Sequence, residues 1–597
     1  MKREIELFQE KMQENMISMF LVTTGDYHLS EYVDDYFKIR AFLSGFTGSA
    51  GTLLITREKA LLWTDGRYFI QAEKQLQNTG IELMKSGEEG VPTLEAYIQD
   101  NLCEGETLCL DGKMISAEEG EKLESVVKSI KGTLKNEQWI DEIWTDRPSQ
   151  NFRRVERLGL FFTGRRVKEK LEMVQEAMKT EGADCFVLSS LDDIAWLYNL
   201  RGTDILHNPV FYSYSVIDDS QAYLFAKKEV FDELLLETLK EEHVTVLPYD
   251  TFYEYLGSAI KNRHVWADGK HSSYFVFETL KKDENHNHII DKENPTLLWK
   301  AVKTTVEAEN IREAHEKDAL AMIRFLYWVK NRVKEDRPLT EKEAADYLDQ
   351  LRLSNRECRD ISFDTIAAYG ENAAICHYSP GKDSAVLRPE GFLLVDSGGQ
   401  YTKGTTDVTR TIALGELTKR QKEHYTLVLK GNIRLAAARF PKGVCGANLD
   451  VLAREPLWER GLDYNHGTGH GVGYYLNVHE GPQNISWKVS QRKGNSVELL
   501  PGMVISDEPG VYLEGEYGIR LENLILVIKA DEPRMKNFLE FETLTLVPFD
   551  REAILPELLD EKEKLWLNQY HQRIFELYAK KVTPRERQWL RETTGPF

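Results

Sequence analysis

Cysteine is scarce in this 597-residue chain: six residues, at positions 103, 109, 185, 358, 376 and 445, with no CxxC spacing among them. Such scatter excludes a disulfide framework and points to reduced thiols. Positive charge is also in deficit. Lys plus Arg number 76 against 97 Asp plus Glu, a formal net charge of −21, which argues against a nucleic-acid or anionic-membrane partner. No apolar run approaches the roughly 18 residues of a membrane span. The opening MKREIELFQEKMQENM has no uninterrupted apolar segment, so no signal peptide is expected and the expected compartment is the cytoplasm. The sequon Asn484-Ile-Ser486 is then expected to stay unglycosylated. GFTGSAGT at 45–52 lacks the GK[ST] ending that brings a lysine to a phosphate, which excludes a nucleotide loop.

Acidic residues set in apolar surroundings are what the chain does have. Asp396, Asp407, His470, Glu508 and Glu522 each lie in a strand-like run or a glycine loop of the C-terminal half. Taken singly, each reads as a turn residue. Together they read differently, because carboxylates inside apolar strands are costly to bury unless paired or metal-bound. Oxygen donors suit hard divalent ions such as Mn²⁺, and one imidazole adds affinity for softer ones. Four carboxylates carry enough charge for two dications. Two such ions about 3.5 to 4 Å apart share one water, lower its pKa and clamp an attacked carbonyl. The expected chemistry is therefore metal-dependent hydrolysis.

Local patterns place these residues. FLLVDSGGQY (392–401) and GTTDVTRTIAL (404–414) are β-branched apolar runs joined by a short Gly-containing connection, which predicts a hairpin with Asp396 and Asp407 facing each other. MVISDE (503–508) predicts a strand ending at Pro509-Gly510, and IRLENLILVIK (519–529) a further buried strand. Period-two alternation puts Arg520 and Glu522 on one face. His470 lies in HGTGHGVG (466–473), too rich in glycine for a helix interior. It is expected as a loop ligand, unlike the helical His pair of an HExxH protease.

VDSGGQY, GTTDVTRT, HGTGHGVG, DEPGVY and RLEN, in this order and spacing, resemble the pita-bread metallopeptidases, in their aminopeptidase P (Xaa-Pro aminopeptidase) branch. Upstream, Ser30-Glu-Tyr, SGFTGSAGT (44–52), WTDGRY (63–68) and DIAWLYNLR (193–201) resemble the N-terminal domains of the long, three-domain form. The resemblance covers nearly the whole chain. It implies an α/β and α+β protein in which two creatinase-like N-terminal α/β domains precede a pita-bread catalytic domain. It implies two divalent ions, with Mn²⁺ expected, and hydrolysis of Xaa-Pro-Yaa peptides after the first residue by a metal-bridged hydroxide. Asp407 and Glu522 would bridge, Asp396 would bind one ion, and His470 and Glu508 the other. Glu508 would also accept the proton. His377 matches the family's proton-shuttle histidine, His466 and His479 its two further active-site histidines, and Tyr512 and Arg520 flanking positions that hold the carboxylates. For His479, next to Glu480, a purely structural role stays open; Arg67 and Arg201 are expected in structural salt bridges.

Domain limits follow from breakers and periodicity. A first α/β unit is expected over 1–150, ending near Asp146-Arg-Pro-Ser149, and a second over 151–305 whose alternating strand and helix stretches suggest a duplication. The catalytic domain spans 306–555 and opens on an amphipathic helix over 307–334 carrying Ile311, Ala314, Ala319, Met322, Phe325, Leu326 and Val329 on its apolar face. A C-terminal extension over 556–597 has Leu567, Tyr570, Ile574 and Leu577 on one helical face, either packed on the catalytic domain or contributing to the homodimer that the resemblance implies. Relatives that keep this fold only for binding have lost the metal ligands; none is lost here. Prolidase shares all five ligands but usually lacks the extra N-terminal domain and the extension, and methionine aminopeptidase is far shorter.

Overall fold

The computed structural model describes residues 2–335, 337–376, 378–488, 496–531 and 536–597. The chain forms two compact units, 1–158 with 165–296, and 159–164 with 297–597.

The first unit holds two six-stranded sheets of the same topology. One runs in the order Ile81–Lys85, Ala60–Thr64, Thr52–Thr56, Met19–Val22, Thr107–Leu110, Thr133–Asn136; the other in the order Val244–Leu247, Ala222–Phe225, Tyr214–Asp218, Cys185–Leu188, His264–Ala267, His288–Asp291. In both, the middle three contacts are antiparallel, antiparallel and parallel in matching places, as a duplication would leave them. The strands are near-continuous apolar runs because helices cover the sheet. Ala117–Ser129, capped by Ser116, buries Leu123 and Val127 in such a core. Contacts also cross between the halves: the Tyr274 N–H donates to Ile115 O at 2.8 Å, and the His28 ring lies between Ser189 O and the Tyr249 hydroxyl, 2.9 and 2.8 Å away. Arg67 pairs with Asp65 at 2.8 Å, and the partners of buried Arg201 include the backbone oxygens of Ala195 and Leu200, to which it donates.

In the second unit the amphipathic helix runs Thr305–Arg332, opened by a capping box of Thr304 and Glu307. All seven apolar residues expected on its inner face are buried. Lys419–Ala436 and Gly446–Trp458 pack against the sheets, the former buried on nearly every side. The largest sheet runs Arg439–Pro441, Phe538–Thr543, Asn523–Lys529, Val504–Asp507, Gly469–Gly471, Glu480–Ile485. A three-stranded sheet of Ile366–Tyr369, Phe392–Ser397 and Val408–Ala413 lies beside it in the same unit.

Two expectations need correction. The expected hairpin is split: 392–397 pairs antiparallel with 408–413, while Gly399–Tyr401 and Gly404–Thr405 join a different sheet with Cys358–Ile361. Asp396 consequently stands opposite Thr409, and Asp407 lies just outside the strand. The break falls at Gly398, where a Cβ would sit 1.9 Å from Thr406 O; no other residue lets the strands separate so closely. The C-terminal helix Glu561–Tyr578 buries Leu567, Tyr570, Ile574 and Tyr578 in the catalytic core, with Leu577 only partly covered. At 100° per residue, position 578 stays over 567 while 577 turns away.

Candidate active site

The strand ends of the second unit bring the five acidic and imidazole side chains together. Asp407, His470 and Glu522 each present one ligand atom, all within 4.8 Å of one another. His470 Nε2 lies 3.6 Å from Asp407 Oδ2 and 3.5 Å from Glu508 Oε1. Arg520 ties in the remaining carboxylate, donating through Nη2 to Asp396 Oδ2 at 2.6 Å. Asp407 and Glu522 are 4 % and 1 % exposed.

His470 is not in a loop. Gly469–Gly471 forms a three-residue strand between Glu480–Ile485 and Val504–Asp507, with a bulge after His470. The glycines serve close approach: a Cβ at 469 would meet Ser506 O at 1.9 Å and one at 471 would meet Glu480 O at 2.2 Å. The His470 Nδ1–H donates to Gly471 O at 3.0 Å, which leaves Nε2 as a bare lone pair facing the carboxylates. Its own backbone N–H donates to Ser506 Oγ, whose hydroxyl donates to Glu508 Oε1 at 3.1 Å.

The run 519–529 is interrupted. Tyr517–Arg520 pairs with Gly510–Leu513, Asn523–Lys529 pairs with 504–507, and Leu521-Glu522 lies between them. Arg520 and Glu522 still converge on one atom, Thr409 Oγ1: Arg520 Nε donates to it at 3.2 Å, and its own hydroxyl donates to Glu522 Oε2 at 2.8 Å. Arg520 Nη1 donates to the Tyr512 hydroxyl oxygen at 2.8 Å, the Tyr512 O–H to His466 Nε2 at 2.8 Å, and His466 Nδ1–H to Gly467 O at 2.8 Å. This relay assigns His466 as a neutral Nδ1–H tautomer. His479 stands edge-on to the His470 ring, centroids 4.4 Å apart. Beside it, buried Glu480 takes both Lys300, at 3.2 Å, and Lys303. His377 lies outside the described residues.

Sequence patterns did not single out Thr409, Ser506, Arg410 or Asp507. Thr409 was detectable as the residue two beyond Asp407 in the alternating run 404–414; Asp507, fully buried, only as a charge inside MVISDE.

Electrostatics make the cluster unstable on its own. Burial, then the charges of Glu522, Asp396 and Glu508, push the Asp407 carboxyl well above its ordinary range. Burial and the charges of Asp396 and Glu508 do the same to Glu522. Glu508 is pushed up to about 8, mainly by burial, with Arg520 opposing. Asp396 Oδ1, Asp407 Oδ1 and Glu522 Oε1 are buried without hydrogen-bond partners. Hard oxygen donors, unpartnered and mutually repelling around one imidazole, fit divalent cations. A stability consequence follows. An acid whose folded pKa is raised from 4.5 to about 8 holds its proton longer when folded, so its contribution is present below about pH 4.5 and is lost as pH rises through 8. Chelated protein should therefore melt at falling temperature between pH 5.5 and 8.5, with a shallower slope in Glu508→Gln, and Mn²⁺ should restore the loss. Melting scans check this; a flat or rising profile would contradict it.

The chain is similar to known proteins over nearly its whole length. Residues 309–529 match metallopeptidase family M24, 4–141 and 146–307 each match the creatinase/prolidase N-terminal domain, and 537–597 match the C-terminal region of peptidase M24. A Laccaria bicolor protein named "Probable Xaa-Pro aminopeptidase P" is 38% identical over 99% of this chain and 92% of its own, and aminopeptidase P2 of Arabidopsis thaliana 38% identical over 97% and 86%. The crystal structure of X-prolyl aminopeptidase from Caenorhabditis elegans, described as a cytosolic enzyme with a di-nuclear active site, aligns with a TM-score of 0.91 at 35% identity, over 97% of this chain and 95% of that one. Xaa-Pro dipeptidase from Bacillus anthracis shares the fold alone, at 22% identity and a TM-score of 0.52 over 64% of this chain. The chain belongs to metallopeptidase family M24, an enzyme whose pita-bread catalytic domain follows two creatinase-type N-terminal domains.

Proposed function

We propose that this enzyme is an aminopeptidase that hydrolyses the bond between an N-terminal residue and a penultimate proline. The observation that carries the reading is the convergence of Asp396, Asp407, His470, Glu508 and Glu522 in a chain similar over almost its full length to proteins named for that activity. In this reading Asp407 and Glu522 would be shared by two divalent ions, Mn²⁺ being expected, and Asp396, His470 and Glu508 would complete the set that holds them. When bound, the ions polarise the scissile carbonyl and lower the pKa of the attacking water.

The protein's own groups do the rest. Glu508, oriented by the Ser506 hydroxyl, accepts the water's proton and passes it toward the leaving nitrogen. Proline demands this help, since its amide nitrogen carries no N–H and leaves as a secondary amine. By resemblance, His377 would relay a proton at that nitrogen and His479 would line the same region. Arg520 holds Asp396 and, through Tyr512, the His466 ring. The enzyme is assigned to the cytoplasm, in keeping with the Caenorhabditis elegans relative.

A dipeptidase with the same ligands is the competing reading. The Laccaria bicolor, Arabidopsis thaliana and Caenorhabditis elegans proteins named as aminopeptidases, each matching 97% or more of this chain, favour the aminopeptidase reading. Purified protein should release the first residue from Xaa-Pro-Yaa and cleave the same peptide poorly when alanine replaces proline. Equal rates on the two peptides would refute the specificity, and cleavage confined to Xaa-Pro dipeptides would make the enzyme a prolidase.

A further inference from the structure

Arg410 is 1 % exposed, yet among the described residues no carboxylate accepts a hydrogen bond from it. Its guanidinium donates to the backbone oxygens of Thr409 (2.8 Å), Glu522 (2.6 Å), Val547 (2.6 Å) and Pro548 (3.3 Å), to Asn523 Oδ1 (2.8 Å) and to the Tyr570 hydroxyl (3.0 Å). The Phe549 ring lies 4.3 Å from its carbon. A buried guanidinium satisfied only by neutral oxygens is an unbalanced cation, stable where a surplus of negative charge lies nearby. That surplus is the carboxylate cluster, whose member Glu522 it touches through the backbone.

Glu522 needs such a contact because it lies outside both flanking strands. Its N–H donates to Thr409 O at 3.1 Å, its carbonyl accepts from Arg410, and its carboxylate accepts from the Thr409 hydroxyl. Two consecutive residues of one strand therefore hold its backbone. Arg410 is fixed in turn by the C-terminal region: Val547, Pro548 and Phe549 close over it, and Tyr570 anchors them, donating to Val547 O (2.7 Å) or Thr545 O (3.0 Å) and accepting from Val547 N (3.2 Å).

We propose that Arg410, caged by the C-terminal region through Tyr570, is a positioning residue that sets the backbone of Glu522 and thereby the affinity of the bridged metal pair. The extension is then part of the metal site's support rather than only a packing element. The inference rests on reading Glu522 as a bridging ligand.

The test uses full-length protein, with Mn²⁺ titrated into the chelated and dialysed chain and the spin-coupled Mn pair followed by electron paramagnetic resonance. Tyr570→Phe keeps the ring and removes the hydroxyl; outer contacts of this kind typically change metal affinity 10- to 100-fold. Arg410→Lys, which keeps the charge and loses the fork, should weaken binding as well. Ile574→Val, one turn along the same helix in the same core, serves as the packing control. We expect both helix variants to lower the melting temperature of the metal-free protein, but only Tyr570→Phe to weaken Mn²⁺ binding by about tenfold or more and to alter the coupled signal. Unchanged affinity in Tyr570→Phe, or an equal loss in Ile574→Val, would overturn the proposal. A wild-type chain that binds no Mn²⁺ pair would instead overturn the two-metal reading, and this inference with it.

Discussion

Glu508→Gln should leave the fold intact and lower turnover by about 10² to 10⁴ at equal metal occupancy, the span expected when a positioned general base is removed. The substitution is nearly isosteric. The Glu508 N–H still donates to Thr468 O, and the Ser506 hydroxyl still has an amide oxygen to meet in place of Oε1. Lost are the charge that would take the water's proton and part of the attraction for one cation. These two losses separate experimentally, because metal content is measured by elemental analysis and turnover is then compared among samples of matched occupancy. A neutral side chain also relieves repulsion from Asp396, one of the charges that push Glu508 up, so the metal-free variant should melt no lower than the wild type near pH 8. Near wild-type turnover at matched occupancy would take Glu508 out of the proton path.

The sequence made some parts of this site legible and hid others, for physical reasons. The residues that converge, and their order along the chain, were readable because a carboxylate inside an apolar run is costly and has few explanations. The period of the long helix at 305–332 was readable because burial on one face enforces it. Register was not. Whether Asp396 meets Asp407 or Thr409 depends on where the strands part, and that is decided at Gly398 by a carbonyl from Thr406, a tertiary contact with no local signature. His470 illustrates the same limit: glycines that suggest a loop are required because the backbones of Ser506 and Glu480 pass too close for a side chain.

Charges that balance one another across long separations were equally invisible. Glu480 is neutralised by Lys300 and Lys303, about 180 residues earlier, and its neighbour His479 read ambiguously from sequence for that reason. Arg410 sat in view within GTTDVTRT, but its acceptors come from 522–523, 547–548 and 570. Four carboxylates are thus flanked by two buried guanidinium groups of different use: Arg520 pairs directly with Asp396, while Arg410 donates to neutral oxygens behind Glu522. Such an arrangement leaves net negative charge at the centre, as a pair of dications requires.

Asp407→Asn should cost the enzyme both ions, whereas His470→Ala should cost mainly one. Asp407 is deeply buried, one of its oxygens has no hydrogen-bond partner, and the other stands 3.6 Å from His470 Nε2. A carboxylate so placed among Glu522, Asp396 and Glu508 can serve both ions at once, and an amide offers neither the charge nor a second oxygen. His470 meets the cluster through a single nitrogen. Metal analysis after equilibration with Mn²⁺ should therefore give well under two equivalents for Asp407→Asn and about one for His470→Ala. Because Lewis-acid activation is worth several kcal/mol, turnover in Asp407→Asn should fall by about 10³ or more. Chelation of the wild type should abolish activity and Mn²⁺ should return it. Two retained equivalents in Asp407→Asn would remove the bridge from Asp407, and full activity in a verified metal-free preparation would dismantle the two-metal reading altogether.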